Sequence, residues 1–374
     1  MKILFAGGGT GGHFYPLIAV ARAIRKAAEE ERIAKIEFFF MSDDPMDKNM
    51  LLEEEIKFIQ IPAGKMRRYF SWQNIFDAFK TIHGVVRALG ELYLLMPDVI
   101  FSKGGYSSFP VLFVARILRI PVVIHESDSI PGSVNRWAGR WASAIMVSFP
   151  ESSRFFKNKR VIVTGNPVRL QVVGGTDVEA IQTFNLEENI PVILVVGGSQ
   201  GSEPINEIIL SLLPEMVKKY QIIHQTGENH YADVSGRAQV ILTNSELKHR
   251  YHPYPFLKEG DYRNAGKIAS LAVFRAGAGS IFEIAAWGIP AILIPLPHAA
   301  QDHQRENAYN YARAGGCVVL EEKNLKPHLL LSEIEKILID SERIQKMKSA
   351  AENFYHPDAA EKIAREILKL GVHE

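Results

Sequence analysis

The chain has 374 residues, 47% hydrophobic and 23% charged, with a formal net charge of +1. That is the composition of a globular protein long enough for two domains of about 150 residues each. Its single cysteine, Cys317, excludes a disulfide framework and points to a reducing compartment. The near-neutral total hides an asymmetry: residues 1–165 carry 22 Lys and Arg against 16 Asp and Glu, the remainder 21 against 26. Unless this is chance, the basic half suits anionic ligands or an anionic membrane surface.

Lys2–Ala6 is a predicted strand that runs into Gly7-Gly8-Gly9-Thr10-Gly11-Gly12-His13. No signal peptide is expected, because Ile3-Leu4-Phe5-Ala6 is too short for an apolar leader core. A helix is predicted from about Pro16 to Glu31, with Leu17, Val20, Ala21, Ile24 and Ala28 on its apolar face. Strands follow at Ile36–Met41, Phe58–Ile61, Val99–Phe101, Val122–His125, Ala144–Ser148 and Val161–Thr164, with helices at Asn74–Leu95 and Gly132–Trp141. The most apolar stretch, Phe109 to Ile124, is interrupted by Arg116, Arg119 and Pro121, so no spanning helix is predicted.

Gly165-Asn166-Pro167 breaks the alternation and begins a linker. A second series has strands at Val192–Val196, Gln221–Gln225, Val240–Leu242, Leu271–Phe274, Ala291–Pro295 and Val318–Leu320. Helices are predicted at Glu203–Lys219, Ser280–Trp287, Gln304–Ala314 and Lys326–Asn353, and a last one begins near Asp358. Continuous apolar strands alternating with helices imply an α/β chain of two doubly wound parallel sheets. Ligands of such sheets bind outside the carboxyl ends of the strands. The first glycine turn, Gly104-Gly105-Tyr106, His125-Glu126 and Gly197-Gly198-Ser199-Gln200-Gly201 all fall there. Two lobes facing a central cleft, each offering backbone N–H groups to a phosphate, are therefore expected.

Gly7, Gly9 and Gly12 satisfy the dinucleotide fingerprint, but the first acid after a second strand, Asp43, comes later than the usual spacing of about 20 residues. His13 is either a base for a hydroxyl proton or a helix-start residue bonded to local backbone. No phosphate-binding P-loop, HExxH or Cys/His cluster occurs, so nothing nominates a metal. A departing diphosphate would then depend on helix dipoles, N–H groups and arginine. Arg169 is placed to serve, with a surface ion pair as the plain alternative. Arg275-Ala276-Gly277-Ala278-Gly279-Ser280 opens a helix carrying Glu283, expected in its first turn, which either grips a ribose diol or favours the helix dipole. His298, Gln301, Asp302, His303 and Gln304 form a polar loop suited to sugar hydroxyls. Arg67, Arg68, Phe70 and Trp72 precede Ile75, Phe76, Phe79 and Lys80. That segment either enters a bilayer surface or packs Phe76 and Phe79 into the core.

Gly8–His13, His125-Glu126, Gly165-Asn166-Pro167-Val168-Arg169, Gly197–Gly201, Arg275–Ala278 and Glu283-Ile284-Ala285-Ala286 occur in that order over nearly the whole chain. Together they resemble the MurG family of inverting glycosyltransferases, glycosyltransferase family 28. The resemblance implies the GT-B fold, with an acceptor and membrane-facing domain over 1–165, a UDP-sugar domain over 166–355, and a helix at 356–374 packed back on the first. It implies transfer of N-acetylglucosamine from UDP-GlcNAc, a substrate, to the muramyl 4-hydroxyl of lipid I, giving lipid II for peptidoglycan. No cofactor, metal or nucleic acid is implied. The expected place is the cytoplasmic face of the bacterial membrane, bound peripherally, with cell-wall or division proteins as candidate partners. By resemblance, Gly8, Gly9, Gly104, Gly105 and Tyr106 hold the lipid diphosphate. Ser199 and Arg169 meet the UDP phosphates, Glu283 the ribose and the Leu257 backbone the uracil. Ala278, Gly279, Ser280, Ile281 and Phe282 complete a helix-end cradle before Glu283, while Gln304 with Thr10, Gly11 and Gly12 positions the sugar. His13 and Glu126 are the candidate bases. Three features depart from the family: Asp128 stands where an Asn would meet the donor sugar, the segment Lys258–Lys267 is longer, and His303 replaces a glutamine. The competing readings are another GT-B glycolipid-forming transferase, a nucleotide-sugar sensor and an NAD-dependent oxidoreductase.

Overall fold

The computed structural model describes residues 1–8, 11–33, 35–65, 72–157, 159–297 and 299–371. The chain divides into two compact units, Met1–Val168 with His356–Glu374, and Arg169–Tyr355.

The first unit holds a seven-stranded parallel sheet of β1 (Lys2–Ala6), β2 (Glu37–Ser42), β3 (Ile56–Gln60), β4 (Val99–Ser102), β5 (Val122–Glu126), β6 (Ala144–Val147) and β7 (Val161–Val163). The order is β3-β2-β1-β4-β5-β6-β7. Successive side chains of β1 point to opposite faces, so Ile3 and Phe5 join one core while Leu4 and Ala6 join another. The first core takes Phe14, Leu17, Ile18 and Ile24 of the helix Gly11–Glu30, with Ile363 and Ile367 of the helix Ala359–Gly371. The second takes Ala88 and Leu92 of the helix Gln73–Leu95 and Val111 and Leu112 of the helix Phe109–Leu118. The first helix starts at Gly11 rather than Pro16, with the proline inside it.

The second unit has six parallel strands: β8 (Val192–Val196), β9 (Gln221–Gln225), β10 (Tyr251–Tyr254), β11 (Leu271–Phe274), β12 (Ala291–Leu293) and β13 (Cys317–Val319). Their order is β10-β9-β8-β11-β12-β13. The predicted strand Val240–Leu242 does not form: it ends the helix Tyr231–Ile241, where Val240 is 76% exposed. Its place is taken by Tyr251–Tyr254, whose Pro253 is accommodated because the strand lies at the sheet edge. The predicted helix Lys326–Asn353 is two helices, Pro327–Ile339 and Ser341–Phe354. Asp340 separates them and caps the second by accepting from Arg343 N at 2.9 Å.

In each sheet the strand order reverses at one point, between β1 and β4 and between β8 and β11. The glycine turns follow β1 and β8 directly and β4 and β11 after at most two intervening residues, so they lie at the two topological switch points, where open α/β sheets bind ligands.

Candidate functional site

In the first unit, Gly8 has a φ of +144°, and a Cβ there would collide with Ser42 Oγ and stand 3.2 Å from Ser107 Oγ. The turn therefore needs glycine for space and for conformation. Ser107 Oγ is fully buried and has no hydrogen-bond partner among the described residues. Sequence reading missed Ser107; its only signal is a hydroxyl directly after Gly104-Gly105-Tyr106. The ring of His13, early in the helix Gly11–Glu30, lies 3.7 Å from where a Cβ on Gly105 would stand. His13, Gly8, Gly104 and Gly105 thus share one site. Tyr106 also borders it, and its hydroxyl donates to Asp43 Oδ2 at 2.7 Å. Ser42 Oγ reaches the other oxygen of Asp43 at 3.3 Å, so the carboxylate in the position that would serve a dinucleotide ribose is already engaged. Gly9, Thr10, Arg67, Arg68, Phe70 and His298 lie outside the described residues, whereas Gly12 is exposed at the start of the first helix.

Beneath that turn lies a buried polar network. Lys103 Nζ, 1% exposed as a residue, donates to His125 Nδ1 at 2.6 Å and to Asn166 Oδ1 at 3.1 Å. His125 Nε2–H donates to the Gly165 carbonyl at 3.0 Å, which leaves Nδ1 as the acceptor. Burial draws the Lys103 ammonium down to about 7, against the pull of Glu126 and Asp128. Burial, then Lys103, holds His125 well below its ordinary range. Glu126 is pushed up to about 7 by burial and by the Asp128 charge. Its Oε1 accepts from Asp128 N, and its Oε2 from Gly132 N and Asn135 Nδ2, each at 3.0 Å. Both oxygens of Glu126 are thereby committed to holding the loop after β5. Asp128, half-buried, belongs to the same loop, and its carbonyl accepts from Ser152 Oγ at 2.6 Å.

In the second unit, Gly201 (φ +79°) turns so tightly that a Cβ would strike the Thr226 carbonyl. Ser199 stands exposed on this turn. Gln225, at the end of β9, donates from Nε2 to Gly198 O at 3.2 Å and accepts from Leu257 N at 3.0 Å. It ties the glycine turn to Leu257, a role signalled only by a polar residue closing an apolar strand. Arg169, 8% exposed, places Nη1 2.6 Å from Glu259 Oε1 and Nη2 3.8 Å from Glu283 Oε1. Glu283 also accepts from the Tyr262 hydroxyl at 2.8 Å. Burial raises Glu283, while Arg169 and the Tyr262 bond oppose the shift; burial, then Glu283, raises Tyr262. The helix runs Ala278–Trp287, so Glu283 stands in its second turn rather than its first. Ala278, Ile281 and Phe282 are buried, and Gly279 and Ser280 half-buried. Arg275 is a clamp: it donates to the carbonyls of Ile294 and Pro295 at 3.2 and 3.3 Å, to Ser202 Oγ at 2.6 Å and to Glu322. Gln304 Oε1 accepts from Leu296 N at 3.0 Å, in the first turn of the helix His303–Arg313. Sequence reading also missed Tyr262 and Glu259, which lie in the longer segment after Leu257.

Trp72, Phe76 and Phe79 are 72%, 75% and 68% exposed, and Lys80 is exposed beside them. The alternative that packs Phe76 and Phe79 into the core does not hold. Among the described residues no helix is long and apolar enough to cross a membrane. No group of three or more His, Cys, Asp or Glu side chains among them is arranged to hold a metal ion.

Two Rossmann-like units in one chain, each with glycine turns at its switch point, define a protein of the GT-B class. Residues 3–147 match the glycosyltransferase family 28 N-terminal domain, and residues 192–363 the family 28 C-terminal domain. The chain belongs to glycosyltransferase family 28. It is 34% identical over 362 residues, 96% of this chain and 95% of the relative, to a protein of Halothermothrix orenii. That relative is named UDP-N-acetylglucosamine--N-acetylmuramyl-(pentapeptide) pyrophosphoryl-undecaprenol N-acetylglucosamine transferase. In fold this chain is similar to the crystal structure of Acinetobacter baumannii MurG, with a TM-score of 0.74, 24% identity and coverage of 98% of this chain and 99% of that one. It is similar also to UDP-GlcNAc 2-epimerase of Neisseria meningitidis bound to UDP-GlcNAc, with a TM-score of 0.71, 17% identity and coverage of 99% and 100%.

Proposed function

We propose that this protein transfers N-acetylglucosamine from UDP-GlcNAc to the muramyl 4-hydroxyl of lipid I with inversion at the anomeric carbon, forming lipid II. The second unit takes the donor. The observation that carries the reading is the Arg169–Glu283–Tyr262 group, its arginine and tyrosine buried and its carboxylate half-buried, which offers one cation to phosphates and one carboxylate to a ribose diol. Ser199 and the glycine turn bind the diphosphate, Leu257 reads the uracil through its backbone, Ala278–Glu283 cradle the nucleotide and Gln304 steadies the sugar. Arg169 and the turn N–H groups stabilise the departing UDP, so the reading takes no metal or cofactor.

The first unit takes the acceptor. Its diphosphate lies on Gly8, Gly104, Gly105 and Tyr106, where the buried Ser107 hydroxyl is a further donor. His13 accepts the 4-hydroxyl proton as the oxygen attacks the anomeric carbon and UDP leaves with the bonding pair. The commitment of both Glu126 oxygens to its own loop favours His13 over Glu126 as that base. Trp72, Phe76 and Phe79, with Lys80, rest on the anionic cytoplasmic face of the membrane as a peripheral contact, which brings the lipid-borne acceptor within reach.

A single-turnover assay with UDP-GlcNAc and lipid I, with diacylglycerol as a parallel acceptor, tests this. Lipid II is the expected product; product from diacylglycerol alone overturns the assignment. His13→Ala is expected to lower the rate by about 10²- to 10⁴-fold with UDP affinity by calorimetry nearly intact, and an unchanged rate removes His13 as the base.

A further inference from the structure

We propose that Glu259 is a stand-in anion for the donor's diphosphate. It pairs with Arg169 Nη1, and a phosphate that takes Nη1 exchanges with it. This rests on the donor reading above and deepens it, by assigning to the Lys258–Lys267 segment a role in setting nucleotide affinity.

Arg169 is 8% exposed and its Nη1 lies 2.6 Å from Glu259 Oε1. A guanidinium fork meets carboxylate and phosphate oxygens with the same planar geometry. A buried guanidinium stripped of its anion bears a large desolvation cost. An arginine poised to receive a phosphate therefore needs an internal counter-ion that can be given up. Among the described residues, Glu259 and Glu283 are within reach, and they are not equivalent. Glu283 is held by the Tyr262 hydroxyl at 2.8 Å and its oxygen is 3.8 Å from Arg169. Glu259 makes the short contact, is 28% exposed, and is the first residue of the helix Glu259–Ile268. A displaced carboxylate there turns toward solvent while staying at the positive end of the helix dipole, which favours it.

The exchange replaces one anion on Arg169 by another, so it subtracts the strength of the Arg169–Glu259 pair from diphosphate binding. A ligand can shift such an equilibrium only by its differential affinity for the two arrangements. A bare nucleoside leaves the pair intact and does not feel it. A diphosphate that takes Nη1 feels it.

The test is calorimetric titration of the full-length protein and its Glu259→Gln variant with UDP and with uridine. Glutamine keeps the size of the side chain and removes its charge. The variant is expected to bind UDP about tenfold more tightly, the scale of one close charge pair, with uridine affinity unchanged. Without nucleotide it is expected to melt at a lower temperature than the wild type, and saturating UDP should raise its melting temperature by the larger amount. UDP affinity that is unchanged or weaker in Glu259→Gln overturns the proposal, as does an equal gain for uridine. If the wild-type protein fails to bind UDP at all, the donor reading itself is wrong.

Discussion

Glu126, buried at the end of β5, and Glu283, half-buried in the helix that follows β11, are acids whose partners separate their roles. Glu126 accepts from two backbone N–H groups and an asparagine of its own neighbourhood, so it shapes a loop. Glu283 faces an arginine and a tyrosine brought from elsewhere in the second unit, so it shapes a binding group. His224 shows burial acting on stability instead. Its Nε2–H donates to Asn206 Oδ1 at 3.1 Å and its Nδ1 accepts from the Tyr251 hydroxyl at 2.9 Å. Burial lowers it to about 3. The unfolded chain therefore takes up the proton first as pH falls, and the stability held above pH 6.5 is lost toward pH 3. Urea unfolding should show this histidine accounting for about 3 kcal/mol of the loss between pH 6.5 and 4. A His224→Gln variant should lose correspondingly less over that interval; an identical pH slope would refute the assignment.

The helix Gln73–Leu95 is apolar on two sides. Ala88 and Leu92 face the core, with Val85 and Leu95 packed against it, while Phe76, Phe79, Ile82 and Val86 are exposed. A surface helix of a globular domain normally turns a polar face outward, and the second stripe is the face that the proposal above rests on lipid. Replacing Trp72, Phe76 and Phe79 by Ser should weaken co-sedimentation with anionic vesicles by about tenfold or more, at about 0.8 kcal/mol per CH₂ withdrawn from lipid. Melting temperature and UDP affinity should stay as they were. Undiminished sedimentation would remove the membrane from the reading. The stripe itself was legible in the sequence, since Ile75, Phe76 and Phe79 stand at helical spacing. Its exposure was not, because spacing reports which residues share a side and not what that side meets.

At the scale of the molecule, the C-terminal helix Ala359–Gly371 belongs to the first unit although the second intervenes in sequence. Ile363, Ala364, Ile367 and Leu368 fill the same core as Phe14, Leu17 and Ile24. Ile367→Ala should cost about 3 kcal/mol by transfer and cavity terms. The loss should appear in unfolding of the first unit, while the second keeps its transition. Equal destabilisation of both units would contradict this division of the core.

The sequence by itself determined the α/β alternation, both glycine turns and the residues around them, because apolar runs and glycines act over a few neighbouring positions. It also carried the motif order through which the family is recognised. Only the tertiary structure decided that Tyr251–Tyr254 rather than Val240–Leu242 is the edge strand, since that choice depends on what covers each segment. Only it matched Arg169 to Glu259, Gln225 to Leu257 and Lys103 to His125 and Asn166. Those partners lie tens of residues apart, and burial, which makes each pairing obligatory, is a property of the folded chain and of no local window.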